Sequence, residues 1–177
     1  MAGEREGFSL VELIIVIAIM AILIGVIALA VIPNIQRSRE SKDLTVLDTI
    51  ASAANSGIAA AQITANGSVT VGTGVTNAPT DAEELKVWNA IKENMGDPTK
   101  ITLGSTNGSE VSNIVVTWTV KDKDGKAVAA TIKVEGKNDA GTVMECKYTD
   151  SDNVSDSNIT GNDNKRKFVV ISGATAS

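Results

Sequence analysis

The residue best placed to do chemistry is Glu12, a carboxylate that leads directly into residues 13–32 (LIIVIAIMAILIGVIALAVI), twenty positions without a charge. A carboxylate beside such a stretch is costly unless it lies at an interface or meets a cation, and residues of this kind usually serve a function. Ahead of it stands a short charged segment, MAGEREG at 1–7, then Phe8-Ser9-Leu10-Val11. The rest of the chain offers little to a catalyst. It has no histidine and a single cysteine, Cys146. That removes the commonest general base, any Ser–His or Cys–His nucleophile, and any disulfide within the chain. No catalytic residue is expected, and Cys146 reads as a small apolar residue in a strand.

Two other constellations could bind something. Residues 150–164 (DSDNVSDSNITGNDN) are dense in Asp and Asn, and Asp156-x-Asn158-x-Thr160-Gly161 partly imitates a calcium loop. Lys167 stands where a bidentate Glu would close that loop, so a solvated surface loop is the stronger reading and calcium the lesser one. No metal and no cofactor is expected. The formal charge of −5, with no basic run longer than Lys165-Arg166-Lys167, disfavours a nucleic-acid partner.

The elements that position Glu12 come next. As a helix, 13–32 spans ~30 Å, the thickness of a bilayer's hydrocarbon core. It is longer than the ~7–15 residue core of a typical secretory signal. It is apolar on all sides, so lipid or equally apolar helices must surround it.

Gly-Phe-Ser-Leu-Val-Glu-Leu at 7–13, after a short charged leader and before a long apolar helix, resembles the class III signal of type IV pilins and pseudopilins. The resemblance covers residues 1–33. It implies that a prepilin peptidase cuts between Gly7 and Phe8 and that the new amine of Phe8 is methylated. It also implies that Glu12 pairs with the Phe8 amine of a neighbouring subunit during assembly. Two buried opposite charges are tolerated together where each alone is heavily penalised, which fits that role. Gly25 and Pro33 keep a glycine–proline spacing the family shows, and by resemblance such an interval can melt on filament packing. Pro33 in any case removes one helical hydrogen bond.

Three features depart from the family pattern. The leader holds only Arg5 as a base, between Glu4 and Glu6; Pro33 comes about one helical turn late; and Arg37, Arg39 and Lys42 follow the apolar run. By the positive-inside tendency alone, those cations would put that end in the cytoplasm, opposite to a pilin. A rival reading is an ordinary secretory signal cleaved after Ala28-Leu29-Ala30, whose charged end would be net negative.

Beyond Pro33 the pattern turns amphipathic. Leu44, Leu47, Ile50, Ala51, Ala54, Ile58 and Ala61 fall at steps of three or four, predicting a helix that ends near Gln62. Gly57 weakens it by ~1 kcal/mol relative to alanine. Residues 64–80 are rich in Gly, Thr and Asn and read as an exposed loop. A second helix follows, with Thr80 and Glu83 as a capping box, Leu85, Trp88, Ile91 and Met95 as its buried face, and Gly96 and Pro98 as its stop. Strands are expected at 111–120, 126–135, 142–149 and 166–172, the first two joined by a hairpin turn at Asp122–Gly125.

The fold class expected is α+β: a long N-terminal helix whose hydrophobic half protrudes and whose amphipathic half packs on a four-stranded antiparallel sheet. The domains would be a leader at 1–7, a transmembrane or filament-core helix at 8–34, and a globular domain at 35–177. By resemblance the chain is a structural subunit of a bacterial filament: membrane-held as a precursor, then part of a surface pilus made of copies of itself. Its partners would be the peptidase, the assembly machinery and the membrane. A major type IV pilin, serving cell adhesion or twitching motility, is the first reading. A secretion pseudopilin or minor pilin is the second, and a single-pass anchored binding domain the third.

Overall fold

The computed structural model describes residue 7 and residues 9–123, 126–146 and 168–172. Two compact units emerge, residues 1–35 and residues 36–177. One helix, α1 (Leu10–Ala61), supplies nearly all of the first and opens the second. From Leu10 to Ile35 every residue of α1 is exposed, Leu29 by as much as 82%. Pro33 sits inside the helix without ending it.

In the second unit α1 is one-sided, as the spacing predicts: Leu47, Ile50, Ala51, Ala54 and Ile58 are buried. Its end is a closed C-terminal motif. Ile63 N–H donates to Ile58 C=O (3.1 Å) and Gln62 N–H to Ala59 C=O (3.3 Å). Gln62 adopts φ 52, the left-handed position that glycine usually takes there. Ile58 and Ile63 are both buried, giving the apolar contact that accompanies such a cap.

The segment read as a loop at 64–80 contains a strand, β1 (Gly67–Val71). Its Gly/Ser/Thr content hid a short alternation in which Val69 and Val71 turn inward while Ser68 stays exposed. Tertiary pairing decides the matter, because β1 lies antiparallel to β2 (Asn113–Lys123) with Val69 opposite Val116 and Val71 opposite Ile114. Gly67 faces the Trp118 indole, and a side-chain carbon there would run into the ring. The indole N–H in turn donates to Ala65 C=O at 3.1 Å.

The second helix, α2 (Ala82–Met95), begins one residue later than its expected cap. Asp81 is the N-cap, its Oδ1 accepting from Glu83 N–H (2.9 Å) and Glu84 N–H (3.1 Å). The capping box of Thr80 and Glu83 is therefore corrected. Asp81 offers the same acceptor one residue closer to the helix, and a carboxylate also suits the positive end of the helix dipole. Trp88 and Ile91 are buried as expected, but Leu85 is exposed and Val87 takes its place. The reason is Gly57 of α1: a Cβ built there would stand 2.6 Å from Ala90 Cβ and 3.5 Å from Val87 Cα. The two helices approach closely through this gap, which rotates the buried face of α2 toward Val87.

The sheet is antiparallel in the order β1-β2-β3-β4, with β3 at Lys126–Lys137 and β4 at Val169–Ser172. Trp118 faces Ile132 and Val116 faces Val134 across β2 and β3, and all four are buried, matching the alternation in the sequence. Asp124 and Gly125 of the expected turn lie outside the described residues. The pairing of Lys123 with Lys126 brackets them, and the register slips between Lys121 and Asp122.

The strand expected at 142–149 is replaced, over its described part, by an isolated bridge of Val143 to Lys137; residues 147–149 lie outside the description. Each β3 edge group can serve one neighbour, and β4 already pairs with Ile132–Glu135. At the C-terminal end of β3 that leaves Gly136 and Lys137. Met144 N–H donates to Gly136 C=O (2.9 Å), and Gly136 N–H donates to Phe168 C=O (2.8 Å). The fourth strand is correspondingly shorter than 166–172, with Phe168 buried just ahead of it. The α+β class with a four-stranded antiparallel sheet stands, with β1 filling the place the 142–149 segment was expected to take.

Candidate processing and assembly site

Gly7 is exposed, and Phe8 lies outside the described residues. The first helical hydrogen bond runs from Leu13 N–H to Ser9 C=O at 3.2 Å, so Ser9 occupies the N-cap position. Glu12 then falls in the first turn of α1, and it is exposed. There the unpaired N–H groups and the helix dipole favour a negative charge by about 0.3–1 kcal/mol, which gives the carboxylate a helix-starting role besides any role in assembly. Ser9-x-x-Glu12 has the spacing of a capping box, a signal the sequence reading passed over.

Gly25 lies in the same uninterrupted helix, and a Cβ added there meets nothing within 4 Å. Close packing inside this subunit therefore does not explain that glycine. The first unit has one ligand-like property, its surface: apolar side chains from Leu10 to Ile35, all outward. A patch of that extent marks a membrane or protein contact. α1 is long and apolar enough to cross a membrane.

Residues 4–31 match the family model of the prokaryotic N-terminal methylation motif. That motif is the one found in the class III signal peptide of type IV pilins. No curated protein and no solved structure matches the chain. The motif belongs to structural proteins and implies processing by a prepilin peptidase within a pilus-type assembly system. Together with the exposed apolar helix, it fits a membrane-anchored precursor.

A second cluster, absent from the sequence reading, lies on the amphipathic part of α1. Glu40 and Asp43 are 1% and 3% exposed. Asp43 grips the loop that follows α2: Gly104 N–H donates to its Oδ1 (2.7 Å) and Ser105 N–H to its Oδ2 (2.9 Å). Gly108 N–H donates to Ser105 Oγ at 2.9 Å, and Gly108 has no side chain where one would collide with the Asp43 carboxylate. Thr106 N–H adds a longer bond to Gln36 Oε1 at 3.4 Å. Three loop N–H groups are thus held by α1 side chains. The signal was legible in principle, because Glu40, Asp43, Leu47 and Ile50 keep the step of three or four that marks the buried stripe.

On the sheet, Glu135 of β3 sits between Lys133 (2.8 Å) and Lys137 (3.3 Å). Burial works against its ionisation, yet hydrogen bonds and attraction from the two ammonium groups outweigh it and hold the carboxyl below its usual range. This is a surface ladder. Among the described residues, no group of three or more His, Cys, Asp or Glu could hold a metal ion, and the calcium-like stretch 150–164 lies outside them.

Proposed function

We propose that this chain is the major subunit of a type IV pilus, cut after Gly7, methylated at Phe8, and assembled through α1. The observation that carries the reading is the methylation motif set on a helix whose apolar side chains are all outward. Such a helix needs other helices or lipid around it, and Glu12 within it needs a cation. The Phe8 amine of an adjacent copy would supply both a charge partner and an axial register. Gly25 and Pro33 would be the weak points at which α1 yields when subunits pack. Leader 1–7, filament-core helix 8–34 and surface domain 35–177 divide the chain accordingly.

The test has two parts. Mass spectrometry of the mature chain from cells should give an N terminus at Phe8, methylated. Sheared surface filaments should contain this chain as their principal protein. An N terminus at Val31 would instead indicate an ordinary secretory signal, and filaments containing only traces of the chain would assign it to the minor pilins or pseudopilins.

A further inference from the structure

Immediately beyond the apolar run, α1 carries Arg37, Arg39 and Lys42, all exposed and all within ten residues of Ile32. The same stretch holds two acids, Glu40 and Asp43. At 3.6 residues per turn these share the phase of Leu47 and Ile50, and they are buried, whereas the three cations fall on the remaining arc. The Asp43 carboxylate is further occupied by the Gly104 and Ser105 N–H groups. Among the described residues, the side chains of Arg39 and Lys42 make no hydrogen bond or ion pair. Folding therefore takes a segment of mixed charge and leaves a cationic collar at its surface.

The location of the collar matters as much as its sign. Along α1, at 1.5 Å per residue, the collar runs from roughly 3 to 10 Å past Ile35, the last of the exposed apolar positions. A bilayer's headgroup layer is about 5–7 Å thick on each side. Lys and Arg stems cover the remaining gap, since they lie along apolar surface with the charge extended toward phosphate. Attraction to anionic headgroups persists over a Debye length of about 8 Å.

We infer that Arg37, Arg39 and Lys42 form a binding collar for anionic phospholipid headgroups, fixing the depth at which α1 leaves the bilayer. The inference rests on the membrane-anchored precursor reading. It also gives these cations a use on the side of the membrane where the positive-inside tendency would not put them.

The full chain in neutral detergent, given equimolar phosphatidylglycerol and phosphatidylcholine with the same acyl chains, can be examined by native mass spectrometry. Each cation near the surface contributes about fivefold. The wild-type chain should thus retain the anionic lipid by tenfold or more over the zwitterionic one. Arg39→Gln with Lys42→Gln removes two of these factors, about 25-fold together, and should leave no more than the roughly fivefold of Arg37, with emission of Trp88 and Trp118 verifying that the double variant is folded. Equal retention by wild type, or an unchanged preference in the double variant, overturns the inference. So does displacement of the lipid by about 10 mM inorganic phosphate, which would mark a site for any small anion. The N-terminal mass of the chain from cells reports separately on processing. A chain uncut at Gly7 that still selects phosphatidylglycerol upholds the collar and sinks the prepilin reading.

Discussion

The two halves of α1 handle charge and apolar surface in opposite ways. From Leu10 to Ile35 the apolar side chains face outward and the one carboxylate, Glu12, is exposed in the first turn. From Gln36 to Ala61 the apolar side chains face inward, and the carboxylate of Asp43 is buried with two N–H donors of its own subunit. The backbone of the first half is satisfied by its own helical bonds apart from the one Pro33 removes, as a membrane requires, and its described side chains are all exposed. The second half is an ordinary core helix. A helix continuous through both shows that backbone periodicity carries no information about where the partners come from. The partners of one half lie within the chain, and those of the other have to be supplied by the surroundings.

That contrast can be broken at its extremes. Glu12→Val should leave membrane insertion intact while filament yield collapses, because within the subunit this carboxylate contributes only a helix-start effect of about 0.3–1 kcal/mol. Surface filaments and membrane-fraction protein, quantified beside wild type, check it, and normal filament amounts would make α1 a plain anchor. Deletion of 1–34 should give a soluble, folded monomer by size-exclusion chromatography. A deletion that also takes Leu44 to Ile58 should aggregate, since it strips the helix from the core.

Smaller effects sharpen the contrast within the domain. Asp43→Ala leaves the Gly104 and Ser105 N–H groups without their acceptor, so urea unfolding of fragment 35–177 should show a loss of about 2–4 kcal/mol. Asp43→Asn, which keeps one acceptor oxygen, should lose about half as much. Gly57→Ala separates local from tertiary physics. Helix propensity alone predicts a gain of up to ~1 kcal/mol. The 2.6 Å approach of the new Cβ to Ala90 predicts overpacking that outweighs it, for a net loss of about 1 kcal/mol in the same assay.

The smallest effect concerns Glu135. Its folded-state carboxyl titrates below the usual range, so its contribution is present above the unfolded value, about 4, and is lost as pH falls through the folded value. Because the lysine partners remain partly exposed and solvent screens the pairs, Glu135→Gln should cost only a few tenths of a kcal/mol at pH 7. The difference should vanish in acid and diminish with salt.

The fold was legible wherever one residue's role followed from its neighbours in sequence. The apolar run, the amphipathic stripe to Ile58, the alternation of Ile114, Val116 and Trp118, and the methylation signal around Gly7 are local patterns, and the α+β class followed from their order. Ser9 and Glu12 as a helix start, and Glu40 and Asp43 in the phase of the buried stripe, were equally local, but charge at those positions masked the pattern.

What the sequence determined on its own is therefore the arm and its signal, because a helix surrounded by lipid or by copies of itself depends only on its own hydropathy and on the residues at its head. What the tertiary structure decided is everything in which two distant segments compete for the same donor or the same space. β1 exists because β2 had an edge to pair, although Gly67 and Ser68 have little strand preference of their own and only Val69, Thr70 and Val71 favour a strand. The 143–146 segment is not a strand because β4 had already taken the edge of β3. α2 shows Val87 to the core because Gly57 let it approach. Asp43 could be buried because a loop some sixty residues away brought it two N–H groups. None of these outcomes is encoded in a window of neighbouring residues, since each is the result of one partner excluding another in three dimensions.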